Sequence, residues 1–335
     1  MTKRVFEDKP AVREKVPLLV GLVGPSGGGK TFSALRIASG IQRVTGGDIW
    51  CVDSEANRSK HYADRFKFRH VPFVAPFGPL DYLGAIEHCI SKGAGTIIVD
   101  SMSHEHEGPG GVLEMHETET GRLAAEWGVS REKAQMSAWA KPKQERRRLI
   151  NTILQMPCNF LFCFRAKPKL KIEKGKDPVQ LGYMPIAGEE FVFEMTLNCL
   201  LLPNAGGIPT WHSEEQGEKM MIKLPEQFRH LFSDKKPMSE EHGEAMANWA
   251  AGTPGTESLF GKYRGMIESA GSIAELSGVD AILKAIPENK TVPASEFREL
   301  NKLFAAKKKE LQSKPSVADT DYDRDTGEVQ PAASA

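Results

Sequence analysis

The stretch LLVGLVGPSGGGKT, residues 18–31, decides the fold. Its first six residues form an apolar run that predicts a strand buried on both faces of a sheet. Residues 24–31 then follow the spacing G-x-x-x-x-G-K-[ST], in which glycines let backbone N–H groups turn towards phosphate oxygens. In this pattern Lys30 reaches the outer phosphates and the Thr31 hydroxyl takes a position in a Mg²⁺ shell. We therefore expect a phosphate-binding loop between a strand and a helix, with ATP and Mg²⁺ as its ligands.

The residues after this loop alternate between helical and strand patterns. Apolar residues at helical spacing predict a helix over residues 31–43, and similar patterns predict helices over 81–92 and 142–155. Apolar or β-branched runs predict strands at 48–53, 68–74, 96–100, 159–165, 191–202 and 210–212. Strands that alternate with helices predict an α/β fold with a mostly parallel, wound sheet. Residues 101–130 predict irregular structure, and residues 170–183 predict a hairpin or a mobile loop.

The distribution of polar and apolar residues divides the chain into five parts. Residues 1–16 predict a flexible lead-in, residues 17–232 the α/β domain, and the Gly- and Pro-containing residues 233–256 a linker. Apolar periodicity returns at 257–312 and predicts a small helical domain. Residues 313–335 are acidic without apolar periodicity, which is typical of a disordered tail.

Bulk composition excludes few functions. The 335 residues include 44 basic and 44 acidic side chains, so only local clusters could favour nucleic acid. The five cysteines form no CxxC pair, which is typical of buried, reduced thiols in a cytosolic protein. The N-terminus has no apolar signal segment, and no apolar run approaches the ~20 residues of a spanning helix. We therefore expect a cytoplasmic protein with no membrane association.

Two acidic positions follow predicted buried strands. Asp100 ends the run 96–99, where an acid can hold a Mg²⁺ shell beside the phosphate-binding loop. Glu55 follows the strand 48–53 and could polarise an attacking water as a general base. The alternative for each is ordinary, because acids also cap helices and stabilise turns.

With these residues the chain resembles the RecA-like recombinase ATPases. In that family a glutamate after the second strand activates water, and the segment CVDSEANRSKHYADRF places Glu55 there. The nucleotide-binding strand with the Mg²⁺ acid runs from Asp into Ser, as in Asp100-Ser101. A later strand ends in a polar residue that senses the γ-phosphate, which would be Arg165, before a DNA-binding loop at 166–184. The implied ATP-binding residues are Gly24, Pro25, Ser26, Gly27, Gly28, Gly29, Lys30, Thr31 and Phe32, with Thr31 and Asp100 as Mg²⁺ ligands.

More narrowly, residues 17–232 resemble the shortened RecA-like ATPases of bacteriophages, including Sak-type single-strand annealing proteins. Two departures are Arg165, where the family commonly has Gln or His, and the unfamiliar insert 103–129. The resemblance implies a phage-encoded ATPase of DNA recombination or annealing, with Lys30, Glu55 and Arg165 as catalytic residues. It also implies single-stranded DNA as a partner, a ring or filament of identical subunits in the host cytoplasm, and a single-strand-binding or replication protein for the C-terminal unit.

Two basic clusters could contact the phosphates of a nucleic acid. The first holds Arg165, Lys167, Lys169 and Lys171, with Lys174 and Lys176 further on, and the second holds Lys141, Lys143, Arg146, Arg147 and Arg148. The alternative for each cluster is a solvated helix face or hairpin. Arg165 or Lys167 could instead act on the γ-phosphate of a neighbouring subunit.

Other interpretations of the sequence remain open. His104, His106 and His116, with Glu105, Glu107 and Glu114, could suggest a metal site, but their spacing matches no strong ligand pattern and favours a polar loop. The ATPase could also be a nucleotide-gated loader that acts on a protein partner rather than on DNA. A small-molecule kinase is the third alternative, and the sequence has no lid-like arginine cluster to favour it.

Overall fold

A computed structural model describes residues 16–172, 177–232, 235–251, 259–284 and 294–313. The chain divides into two compact units, Met1–Thr253 and Pro254–Ala335. The strands of the described ranges are β1 Leu19–Gly24, β2 Asp48–Asp53, β3 Arg69–Pro72, β4 Ala94–Asp100, β5 Asn159–Lys171, β6 Val179–Pro185 and β7 Leu197–Leu200. The helices are α1 Lys30–Thr45, α2 Pro79–Ser91, α3 His104–Glu107, α4 Val112–Trp127, α5 Arg131–Ala138, α6 Ala140–Ile153, α7 Glu189–Phe193, α8 Gln216–Met221, α9 Glu240–Ala250, α10 Leu259–Ser269, α11 Ile273–Lys284 and α12 Ala294–Ser313.

The first unit is built on a seven-stranded, mostly parallel sheet, which confirms the predicted α/β class. The strands follow the order β3-β2-β4-β5-β1-β7, and β6 pairs with the far end of β5. β1 lies parallel between β5 and β7, with Gly24 opposite Arg165. β4 lies parallel between β2 and β5, with Asp100 opposite Asp53 and Cys163. The carboxyl ends of β1, β2 and β4 therefore meet at one edge of the sheet, beside Arg165 in the middle of β5.

Both faces of the sheet are covered, as a parallel sheet requires. On one face the buried side chains of β1, β4 and β5 pack with Tyr82 and Ile86 of α2 and with Leu149 of α6. On the other face they pack with Ile37 of α1 and Met246 of α9. Alternate residues along each strand point to opposite faces, so a continuous apolar run contributes side chains to the core on each face of the sheet.

Helices α1 and α9 approach each other at two glycines. A Cβ on Gly40 would lie 1.9 Å from the Glu240 carbonyl oxygen, and a Cβ on Gly243 would lie 2.2 Å from the Ile37 carbonyl oxygen. Arg36 donates to the Glu240 carboxylate at 2.6 Å beside this contact. The backbone N–H of Val16 also donates to the Ala250 carbonyl at 2.9 Å. The two helices are thus held at backbone contact distance.

We expect Gly40→Ala to destabilise the fold by about 1–3 kcal/mol, because the added methyl group overlaps backbone atoms of α9 that cannot move independently. The matched control is Gly84→Ala within α2, where a Cβ would meet nothing within 4 Å. Alanine there should stabilise the fold by roughly 0.5–1 kcal/mol, since glycine is unfavourable inside a helix. Urea unfolding of both variants checks the difference, and equal midpoints would contradict the close approach of the helices.

Four predictions from the sequence are corrected. Residues 101–130 are not irregular, because α3 and α4 occupy much of this segment; α4 buries only four side chains, so its apolar periodicity is faint. The predicted linker 233–256 contains α9, whose buried residues Gly243, Met246, Ala247 and Ala250 are mostly too small to give a strong hydrophobic signal. Residues 191–202 are not one strand, because α7 ends at Phe193 before β7 begins, and residues 210–212 are not a strand, because only Thr210 pairs there, in an isolated bridge with Leu200.

In its described residues, 259–284 and 294–313, the second unit contains the helices α10, α11 and α12. Buried Tyr263, Ile267, Leu276 and Leu300 belong to one apolar cluster of this unit. The lead-in and the acidic tail predicted at 1–16 and 313–335 lie almost wholly outside the described residues. Among the helices that the structure describes, none combines the length and the apolar character needed to cross a membrane.

Candidate functional site

The glycine-rich loop connects β1 directly to α1. Gly27 and Gly29 have φ angles of 83° and 89°, a region that L side chains rarely adopt. A Cβ on Gly28 would lie 2.5 Å from the Leu201 carbonyl oxygen, so the loop packs closely against the segment after β7. The N-terminus of α1 points its free N–H groups into the loop, which is a favourable place for an anion.

Lys30 is folded back onto the loop in this structure. Its Nζ donates to the carbonyl oxygens of Gly24 at 2.9 Å and of Pro25 at 2.8 Å. Burial is the largest influence on this amine and lowers its pKa, while the nearby charges of Asp100 and Glu55 partly oppose the shift. The ammonium is therefore held at the mouth of the loop by contacts that phosphate oxygens could replace.

Thr31 and Asp100 meet as the sequence predicts. The Thr31 hydroxyl donates to Asp100 Oδ2 at 2.5 Å. Burial raises the pKa of Asp100 to about 6, and the charges of Glu55 and Asp53 add to the rise, whereas the Thr31 hydrogen bond and Lys30 lower it. A cation beside Asp100 would offset this concentration of negative charge.

These two oxygen ligands fit Mg²⁺. The described residues contain no group of three or more His, Cys, Asp or Glu side chains that could hold a metal ion. Mg²⁺ at phosphate sites uses one or two protein oxygens together with water and substrate phosphate, so a hydroxyl and one carboxylate suffice. Thr31 and Asp100 are accordingly the residues that would hold it.

Asp53 fixes the loop that carries Glu55. The buried Asp53 carboxylate accepts hydrogen bonds from the Glu55 N–H at 2.8 Å, the Ser59 N–H at 2.9 Å and the Ser59 hydroxyl at 2.6 Å. His70 Nε2 lies 3.3 Å from the same carboxylate. The sequence did not predict that Asp53 fixes this loop. The signal that could have indicated it is an acidic residue at the end of a predicted buried strand, two residues before Glu55.

Glu55 is paired with Arg165 of the same chain. Arg165 Nε donates to Glu55 Oε1 at 2.7 Å, and its terminal nitrogen donates to Oε2 at 2.6 Å. Arg58 lies 3.7 Å from the same carboxylate. Burial acts to raise the pKa of Glu55, but the hydrogen bond and charge of Arg165, aided by His104 and Arg58, outweigh it and leave the pKa lowered.

The backbone of Arg165 is held on both sides. Its N–H donates to the Ser103 hydroxyl at 2.8 Å, and its carbonyl accepts from the Ile186 N–H at 2.8 Å. Arg165 stands opposite Gly24 in the sheet, and it lines the same cavity as the glycine-rich loop of its own chain. The sequence predicted Arg165 near the phosphates but not its ion pair with Glu55.

Eight of the twelve predicted catalytic, ATP-binding and Mg²⁺-binding residues line one cavity of about 700 Å³. Its lining includes Ser26, Gly27, Gly29, Lys30, Thr31, Glu55, Arg58, His61, Tyr62, Asp100, Glu107, Arg165, Ala166 and Ile186. Gly24, Pro25, Gly28 and Phe32 do not line it. The Phe32 ring instead packs 5.7 Å from Tyr62 and 5.4 Å from Phe66, with the Arg65 guanidinium 5.3 Å from its centre.

The three predicted DNA-binding lysines lie on a β-hairpin beside this cavity. Lys167, Lys169 and Lys171 alternate along β5, so their side chains project from one face, and all three are exposed. Lys167 Nζ lies 3.7 Å from the Glu107 carboxylate. β6 completes the hairpin, and Glu218 of α8 accepts from the Tyr183 N–H at 2.6 Å. Lys174 and Lys176 fall outside the described residues.

Arg146 of the second basic cluster is not a surface residue. Its guanidinium donates to Glu105 at 3.0 and 2.8 Å, and both side chains are buried. The suggestion that Arg146 contacts nucleic acid is therefore wrong, whereas Lys141, Lys143, Arg147 and Arg148 are exposed.

The three histidines of the insert have separate partners. His104 Nδ1 lies 2.8 Å from the Ser54 hydroxyl, and His106 Nδ1 accepts from Arg146 at 2.9 Å. The His116 ring stacks on Trp139 with centroids 3.9 Å apart. The structure does not bring them together as a metal site.

Comparisons of this chain with protein-family models and with curated proteins found no match. The resemblance to RecA-like ATPases consequently stays a prediction from the residues themselves.

Proposed function

We propose that the chain is a RecA-like P-loop ATPase that binds ATP with Mg²⁺, hydrolyses it, and acts on single-stranded DNA in recombination or annealing. The observation that carries the proposal is the meeting of Lys30, Thr31, Asp100 and Glu55 around one cavity at the carboxyl ends of parallel strands. This edge of an open α/β sheet is where ligands bind in such folds. The match of the loop to G-x-x-x-x-G-K-[ST] supports a nucleotide triphosphate as the ligand.

In the proposed reaction a water molecule attacks the γ-phosphorus. The bond from the γ-phosphorus to the β–γ bridging oxygen breaks, ADP leaves with that bond's electron pair, and Glu55 accepts the proton of the water. Lys30 exchanges its two loop carbonyls for phosphate oxygens as the nucleotide enters. Thr31 and Asp100 would hold Mg²⁺, which would neutralise part of the charge of the phosphates.

The DNA part of the proposal depends on the hairpin. Exposed lysines on one strand face can follow a phosphate backbone without sequence preference, and such binding weakens steeply as salt rises. The chain would be phage-encoded, would assemble as a ring or filament in the host cytoplasm, and would use its C-terminal unit for a single-strand-binding or replication protein.

The first test is the rate of ATP hydrolysis with and without single-stranded DNA. We expect DNA to raise the rate, and Lys30→Ala to lower it about 100-fold or more, because one charged group on the transferred phosphate is lost. Lys60→Ala, an exposed lysine outside the cavity lining, is the matched control and should keep the rate.

The same test separates the alternative function. If single-stranded DNA did not change the rate of ATP hydrolysis and the chain did not bind DNA at low salt, the proposed action on DNA would be wrong. A nucleotide-gated loader of a protein partner would then be favoured. If the unmodified chain neither bound ATP nor hydrolysed it faster than Lys30→Ala, the proposal of an ATPase would be refuted.

A further inference from the structure

We infer that Glu107 is a positioning residue for Arg165. When single-stranded DNA binds Lys167 and separates it from Glu107, Glu107 attracts Arg165 and so separates Arg165 from Glu55. The inference rests on the proposed function and assigns to that site a link between the lysine hairpin and the general base. It concerns four side chains that form two neighbouring ion pairs, Glu55–Arg165 and Glu107–Lys167.

The first pair restrains the proposed base. Both carboxylate oxygens of Glu55 accept from the Arg165 guanidinium, at 2.7 and 2.6 Å, and the carboxylate is only 11% exposed. A general base must lie within hydrogen-bond reach of its water and have a pKa near the working pH. A carboxylate held in this bidentate way meets neither condition fully, so the resting site is poorly active.

The second pair stands beside the first along the same strand. Arg165 and Lys167 are two residues apart on β5, so their side chains leave one face with Cα atoms about 7 Å apart. Glu107 ends α3 and lines the same cavity as Arg165 and Glu55. The charge of Glu107 acts on Arg165 as well as on Lys167, and Lys167 is its ion-pair partner at 3.7 Å.

The two pairs differ in how easily they open. The Lys167 side chain is 65% exposed and its contact with Glu107 is long, so a phosphate backbone can compete for the ammonium at little cost. Glu107 then loses its partner while facing a cavity that already holds Asp100 and Glu55. Arg165 lies two residues from Lys167 on β5 and is acted on by the charge of Glu107, so it can compensate that charge, and its shift towards Glu107 removes both of its hydrogen bonds to Glu55.

The central test measures ATP hydrolysis without DNA. We expect Lys167→Met to raise kcat by about fivefold or more, towards the DNA-stimulated rate of the unmodified chain, with a small change in KM for ATP. Lys169→Met is the matched comparison, because it removes the same charge from the same face without a described contact to Glu107, and its increase should be much smaller.

Glu107→Gln should reduce the stimulation by oligothymidylate, since an amide attracts Arg165 weakly. In the double variant with Lys167→Met the DNA-free rate should fall back to the resting rate. A Lys167→Met rate equal to or below that of Lys169→Met would overturn the inference, and so would full stimulation of Glu107→Gln. Both side chains are at least partly exposed, and thermal unfolding confirms folding of each variant.

The pH dependence of kcat gives a readout that a structural role would not move. The charged groups near Glu55 are Arg165, Arg58, His104, Lys30 and Asp100. Because Arg165 lowers the pKa of Glu55, its departure should raise that pKa and shift the acid limb of the profile to higher pH in Lys167→Met. An acid limb at the same pH in Lys167→Met and in the unmodified chain would contradict the proposed movement of Arg165 away from Glu55. Lys30-dependent turnover of the unmodified chain judges the ATPase proposal separately, whatever the variants show.

Discussion

Replacing Glu55 by glutamine is expected to lower kcat for ATP hydrolysis by about 10²–10⁴-fold while ATP still binds. The amide keeps the size of the side chain but cannot accept the proton of the attacking water. Asp53 holds the loop through backbone N–H groups of residues 55 and 59, so the loop should keep its shape in the variant. Single-turnover hydrolysis measures the chemical step, and titration with a fluorescent ATP analogue measures binding.

Glu87→Gln is the matched control for this variant, since Glu87 is an exposed carboxylate on α2. Its hydrolysis rate and affinity should equal those of the unmodified chain. If Glu55→Gln turned ATP over at the unmodified rate, Glu55 would not be the base. Loss of nucleotide binding in Glu55→Gln would instead assign the residue to the binding of ATP.

The second large effect is on stability. Arg146→Met should destabilise the first unit by about 3–5 kcal/mol, because it leaves the buried Glu105 carboxylate without its cation. Burial already raises the pKa of Glu105, and the hydrogen bond and charge of Arg146 oppose that rise. Without Arg146 the pKa of Glu105 should rise further, so the loss of stability is largest above that pKa, where the charge must be buried.

Urea unfolding at neutral and at acidic pH checks this prediction. Arg147→Met, the exposed neighbour on α6, should change stability by less than about 0.5 kcal/mol. The double variant Glu105→Leu/Arg146→Met should recover most of the loss, because an apolar pair carries no desolvation cost. A single Arg146→Met variant as stable as Arg147→Met would show that Glu105 reaches another partner or water.

The local parts of this molecule could be predicted from the sequence, and the long-range parts could not. The strand before Gly24, the helix after it and the acid at Asp100 each follow from a short pattern, and the structure places them together. The Glu55–Arg165 pair joins residues that are 110 positions apart, and the Arg146–Glu105 pair joins residues 41 apart. No periodicity encodes such partners, so Arg146 resembled any other member of a basic cluster.

Helix α9 escaped prediction for a different reason. Its contact with α1 depends on Gly40 and Gly243, and glycine lowers both helix propensity and apolar character. Close backbone approach between helices thus removes the signal by which helices are recognised. Helix α4 was not predicted either, because it has few buried positions and the polar residue Thr120 occupies one of them.

The hydrogen bond from Val16 to Ala250 places the first described residue of the first unit beside the end of α9. Adjacent ends make a domain suitable for circular permutation. A short bridge between residues 250 and 16 should let the chain be reopened at an exposed turn, such as the Gly46-Gly47 turn after α1, with the sheet order intact.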